Sequence, residues 1–261
     1  MKGLFKFEFR KVFHSKYLYI LAGAAILYVL LNGLTIYFVN WIVQNLAEEA
    51  GEVLPPDMFA NTSYAYTKSA LNGNFMMILG LFIAIFACED NSHATSKNIV
   101  GKGFNRTEIF FSKYLVSLLI TIVISIVAVV VAALFGLVAW GPDSFQKLDD
   151  NVGIIILGEL LCVIVYHALF FMIAYSVGKI GAAIVINLLA PLGLGLVLNI
   201  VDIVINNEDV VISSYWISGI LTNFGSTQTN EKLFALSFVL LFVYLGASVL
   251  LGVFFARKKQ Y

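Results

Sequence analysis

Charge is what this sequence has least of. Only 12% of its 261 residues are Asp, Glu, Lys or Arg, and 60% are hydrophobic. A soluble domain carries about 25% charged residues. Net charge is zero, so no global basic field points to nucleic acid. Cysteine is nearly absent too. Cys88 and Cys162 stand in separate apolar runs, one near the inner face and one toward the outer half on the topology below. That disfavours a disulfide, and no metal-type spacing exists.

Motifs of a self-powered or catalytic chain are also missing. A phosphate-binding loop needs G-x-x-x-x-G-K-[ST]. Gly101-Lys102 has Ser96 where the first glycine belongs, and Gly178-Lys179 has Ile173 there. No H-E-x-x-H, G-x-S-x-G or paired-cysteine motif occurs. His14, His93 and His167 lie far apart on different expected elements. Neither a cofactor nor a metal is expected on this chain.

What is present is a set of long apolar runs. A run of about 18 or more residues with few charges reads as a transmembrane helix. Six spans are expected, at 17–39, 70–88, 114–140, 153–177, 182–205 and 232–256, giving an all-α polytopic membrane protein. The second run is short. Its helix is expected to begin within Thr67–Asn74, and a polar end bearing Lys68 and Asn72 is tolerable there only if it faces protein or water. That makes the second span a candidate wall of an internal pathway. The fifth span holds Pro191 followed by Gly193, where a kink or break and a hinge are expected.

Residues 1–16 are not expected to be a cleaved signal, since the apolar run after them is too long. They read as an amphipathic interfacial helix, with Leu4, Phe5, Phe9, Val12 and Phe13 on one side and Lys2, Lys6, Arg10 and Lys11 on the rest. Residues 17–261 form the six-span domain. Lys68, Lys147 and Lys232 fall on one side of the membrane; the remaining thirteen of the sixteen Lys and Arg fall on the other. The positive-inside rule makes that second side cytoplasmic, with both termini inside. The outer segments are acidic, with Glu48, Glu49, Glu52 and Asp57 in 42–66. Within the outer segment 208–230, the run VVISSYWISGIL is too short to span and suits a re-entrant or interfacial helix, or an apolar loop packed on the bundle.

Ionisable residues inside spans are functional candidates because each is costly to hold there. Glu159 and His167 of the fourth span and Asp202 of the fifth qualify. They read either as a proton relay or substrate contact, or as residues hydrogen-bonded within the bundle.

The strongest signal is the polar stretch 89–113, EDNSHATSKNIVGKGFNRTEIFFSK, between the second and third spans. Two acids end one span; Asn105 and Glu108 make a capping box for the next helix, and Lys113 closes the loop at the membrane edge. Its order resembles the membrane subunits of the ABC-2 family of ABC transporters in Glu89, Thr95, Lys97, Gly101, Arg106 and Lys113, and departs from them at Gly101-Lys102-Gly103. The basic N-terminal helix resembles that family's connecting helix, and Val210–Leu221 its outer re-entrant helices. The resemblance implies two permease copies or related permeases in the cell membrane of a bacterium, contacting lipid and served by a separate ABC ATPase subunit that binds ATP and Mg. It implies that Asn91–Thr107 is a coupling helix, with Glu89, Asp90, His93, Lys97, Arg106 and Lys113 as ATPase-coupling residues and the N-terminal helix as its brace. The implied cargo is a hydrophobic or amphipathic molecule, with an antimicrobial-type peptide the first choice given the acidic outer face. Two other classes stand beside it: a proton-coupled secondary transporter using Glu159, His167 and Asp202, and a membrane-embedded sensor, scaffold or enzyme.

Overall fold

The computed structural model describes residues 2–51, 61–92, 99–145, 152–205, 211–225 and 231–258. His93 and Lys97 lie outside them, as do the ends of the 208–230 segment. In chain order the helices are α1 (Lys2–His14), α2 (Lys16–Ala50), α3 (Thr62–Lys68), α4 (Gly73–Ser92), α5 (Arg106–Trp140), α6 (Val152–Val177), α7 (Ile180–Ile205), α8 (Ile217–Gly225) and α9 (Glu231–Lys258). Short 3₁₀ turns at Ser69–Leu71, Pro142–Phe145 and Ile212–Tyr215 link some of them. No strand occurs among the described residues.

Six helical stretches are long and apolar enough to cross a membrane, and they coincide with the six expected runs. Apolar side chains satisfy lipid or core, and the helical backbone satisfies itself, so a helix is the economical state for each run. α4 and α6 form the buried centre, while α7 lies at its periphery with few fully buried residues. α2 and α5 each run 35 residues. At 1.5 Å per residue that is about 52 Å, well beyond a hydrocarbon core of about 30 Å. Helix-to-helix contact is tightest where glycines accept aromatic rings. A Cβ on Gly158 would stand 2.6 Å from the Phe224 ring, and one on Gly252 would stand 2.6 Å from Phe110.

The helix of the second span begins at Gly73, within the expected 67–74, and the separate α3 precedes it, with Asn72 extended at the join. Asn72 Oδ1 accepts from the Phe75 N–H at 3.1 Å and from the Tyr28 hydroxyl at 2.9 Å. The asparagine thereby caps α4 and ties the break to α2. The polar end does face protein: Ser63 and Lys68 are buried.

α7 runs without interruption through Pro191, so the expected break is absent. One missing N–H removes one rung, which the turns on either side of a membrane helix tolerate. The segment after α7 forms a 3₁₀ turn and the nine-residue α8, whose Ile217, Ile220, Leu221 and Phe224 are buried against the bundle. Both cysteines are buried, and neither is in a disulfide.

Candidate functional site

α1 meets the rest of the protein through only part of its apolar side. Leu4, Glu8 and Val12, spaced i, i+4, i+8, are the buried stripe. Phe9 and Phe13 are exposed, and with Phe5 they form a ladder of rings with centroids 6.3 and 4.7 Å apart. The helix thus has one face for protein and a neighbouring aromatic face left open. The protein face lies on α5. Leu4 packs with Ile109 of α5 and Ile99 of the loop, joined by Val100 and Phe104. The described part of the 89–113 loop is therefore seated on α1.

Beside that apolar contact lies a cluster of charges. Asp90, the last acid before the loop, is ion-paired to both Lys11 and Lys113. Lys11 also reaches Glu89 at 3.0 Å. Asp90 and Lys113 are 2% and 1% exposed, so both face inward. Lys113 turns to the end of α4, with Nζ 5.7 Å from the centre of the Phe86 ring. Glu8 is fully buried near these groups, and neither of its carboxylate oxygens has a hydrogen-bond partner. Burial pushes the Glu8 carboxyl above its ordinary value, against the pull of Lys113 and Lys11. Burial lowers the Lys11 ammonium, but the bonds and charges of Asp90 and Glu89 outweigh it and the net direction is upward. Glu89 and Asp90 balance Lys11 and Lys113 in formal charge, and Glu8 is the acid left over.

The exit of the loop is held as well. Asn105 and Glu108 form the expected capping box at the start of α5, with the Asn105 N–H donating to Glu108 Oε2 at 3.3 Å. Arg106 Nη1 donates to the Arg257 carbonyl at 2.9 Å. That carbonyl sits in the last turn of α9, where backbone acceptors lack intrahelical donors. One end of the bundle therefore joins α1, the end of α4, the loop, the start of α5 and the end of α9.

The structure thus brings Glu89, Asp90, Arg106 and Lys113 to one end of the molecule. Sequence reasoning assigned Lys11 only to a charged flank and passed over Glu8. An acid at the centre of a Leu4–Val12 stripe was the available signal.

The three acid and imidazole candidates are not together. His167 is buried, bonded through Nε2 to Ser117 Oγ at 2.8 Å and surrounded by Tyr114 and Phe171. Asp202 accepts from the Ile212 and Ser213 N–H groups at 2.6 and 3.0 Å, capping the 3₁₀ turn before α8. Glu159 is buried at the opposite end of the bundle from the ionic cluster, where it and Lys68 line one cavity with Asn72.

Among the described residues, an all-helical bundle with six membrane-length helices, in which ion pairs join the end of α4 to an N-terminal helix, defines a multi-pass membrane protein. A family model described as "ABC-2 family transporter protein" matches residues 4–202, and the chain belongs to that family. It is thus the membrane component of an ABC transporter. The matched region begins at Leu4 and so takes in nearly all of α1, the ionic cluster and the loop. Neither a curated protein nor a solved structure matches the chain.

Proposed function

We propose that the chain is the permease subunit of an ATP-driven exporter, powered by a separate ATPase that binds ATP and Mg and docks on the 89–113 loop. Both termini are cytoplasmic in this reading, in the cell membrane of a bacterium, and two permeases pair. The observation that carries it is Asp90 held between Lys11 and Lys113. A force on the loop reaches α4 and α5 directly and α1 through Lys11, so the three move as a unit. Asp90 and Lys113 act inside that unit, because they are buried, while Lys102, Asn105 and Arg106 are exposed and form the outward part. The positive-inside distribution supports the orientation.

The cargo in this reading is hydrophobic or amphipathic, with a cationic peptide favoured by the acids of the 42–66 segment. Separation of Glu159, His167 and Asp202 weighs against a proton relay: eight residues part Glu159 from His167, a rise of about 12 Å along α6. Co-purification tests the central assignment. The chain, expressed with candidate ATPases encoded beside it, should retain one through size exclusion; a chain that retains none and stimulates no ATPase contradicts the reading.

A further inference from the structure

At the end of the bundle remote from the ionic cluster, Lys68 and Glu159 meet across a cavity of about 350 Å³, within the size range of small-ligand sites. Both side chains are more than nine-tenths buried. The Lys68 ammonium has no hydrogen-bond partner and rests only over the Tyr64 ring, 5.6 Å from its centre. No ion pair joins it to Glu159. A basic and an acidic side chain therefore line one cavity without closing on each other.

We propose that this cavity binds a zwitterionic phospholipid headgroup, its phosphate on Lys68 and its ammonium on Glu159. A purely anionic ligand would meet the Glu159 carboxylate, and a purely cationic one the Lys68 ammonium; only a group carrying both signs a few ångströms apart satisfies the two. The neighbouring polar groups are sorted in the same way. Ser69 and Thr222 give their hydroxyl protons to the carbonyls of Tyr66 and Ser218, at 3.0 and 2.9 Å, which leaves their oxygens as acceptors suited to an ammonium. The Asn72 oxygen is taken by Tyr28 and Phe75, which leaves its NH₂ as a donor suited to a phosphate. Glu159 is seven residues into α6, a rise of about 10 Å from its end.

A second cavity, of about 160 Å³, adjoins the first through the same Lys68 and Glu159. Its walls are chiefly apolar, with Val129, Phe145, Ile155 and Ile156, and suit the first carbons of an acyl chain. The charged pair thus stands where polar and apolar chambers meet, as the phosphate region does in a phospholipid. This pairing of chambers favours a lipid over a peptide terminus. The proposal borrows its purpose, cargo or bound cofactor lipid, from the transport reading, but the binding itself does not depend on any ATPase.

The test uses the full chain purified in detergent, titrated with dihexanoyl phosphatidylethanolamine and dihexanoyl phosphatidylglycerol and read by native mass spectrometry. The wild type should bind the ethanolamine lipid about tenfold more tightly than the glycerol lipid. Glu159→Gln should reverse that preference by leaving a net positive site, and Lys68→Gln should weaken both lipids about tenfold or more. Thermal unfolding of each variant shows whether it is folded, and the reversal by Glu159→Gln is a gain that misfolding cannot imitate. Equal binding of both lipids by the wild type, or unchanged preference in both folded variants, overturns the proposal. So does displacement of the lipid by glycerophosphoethanolamine at equal concentration, because the apolar chamber would then contribute nothing. Failure here leaves ATPase co-purification intact, and failure there leaves lipid preference intact.

Discussion

Lys113 lies seven residues inside α5, yet its ammonium turns back to Asp90 at the end of α4, and the two are almost completely buried. Removing one partner from a buried pair leaves the other uncompensated, at a cost of about 3–5 kcal/mol. Asp90→Ala strands Lys113 and leaves Lys11 only Glu89, so it should show the full penalty. Lys113→Met should cost less, about 1–3 kcal/mol, because Asp90 keeps Lys11 and the methionine fills the space. Thermal or denaturant unfolding in detergent gives the order, and a Lys113→Met variant less stable than Asp90→Ala would contradict it.

Glu8 supplies a pH signature. Its carboxyl is raised by burial, so the folded state binds a proton more readily than the unfolded chain. The stability this contributes is complete below the ordinary value of 4.5 and is lost as pH rises through the folded value. Glu8→Gln should remove that slope on the acid side of neutrality and leave the protein at least as stable at pH 7. The check is unfolding of wild type and variant in parallel across that range.

Asp202 holds two backbone N–H groups of the turn before α8. Asp202→Ala should release that turn while leaving the spans folded. Hydrogen exchange should rise about tenfold at Ile212 and Ser213 and remain unchanged in α4 and α6.

His167 and Ser117 predict an asymmetry. Ser117→Ala leaves the buried imidazole without its partner and should cost about 1–3 kcal/mol. His167→Phe leaves Ser117 its own backbone acceptors, the Lys113 and Tyr114 carbonyls, and places a ring among Tyr114 and Phe171. The phenylalanine variant should therefore be the more stable of the two and should transport with an unaltered pH profile. A shifted profile would restore His167 as a proton carrier.

The six apolar runs were legible because hydrocarbon permits few alternatives to a helix, and the Asn105–Glu108 capping box was legible because its signal is local. The interruption at Asn72 was not. It depends on Tyr28, 44 residues away, which no window along the chain contains. The inward turn of Glu8 was hidden for a related reason: Leu4, Phe9, Val12 and Phe13 read as one apolar side, and only contact with α5 separates the buried Leu4–Glu8–Val12 stripe from the exposed rings. An aromatic ladder left open beside the packed face suits the membrane interface read for this helix. The charges of the loop were visible in sequence, but the inward turn of Asp90 and Lys113 needed the approach of α1, which only the assembled bundle supplies.

The most direct measurement is a double-mutant cycle across Lys11 and Glu89, read as ATPase activity of the assembled complex with and without transport substrate. If α1 and the root of the loop act as one coupling unit, Lys11→Met and Glu89→Gln each reduce substrate-stimulated ATPase activity. The double variant is then no worse than the more impaired single one, since the second change removes a contact already lost. Two independent, additive losses, or full stimulation in all three variants, would contradict that account.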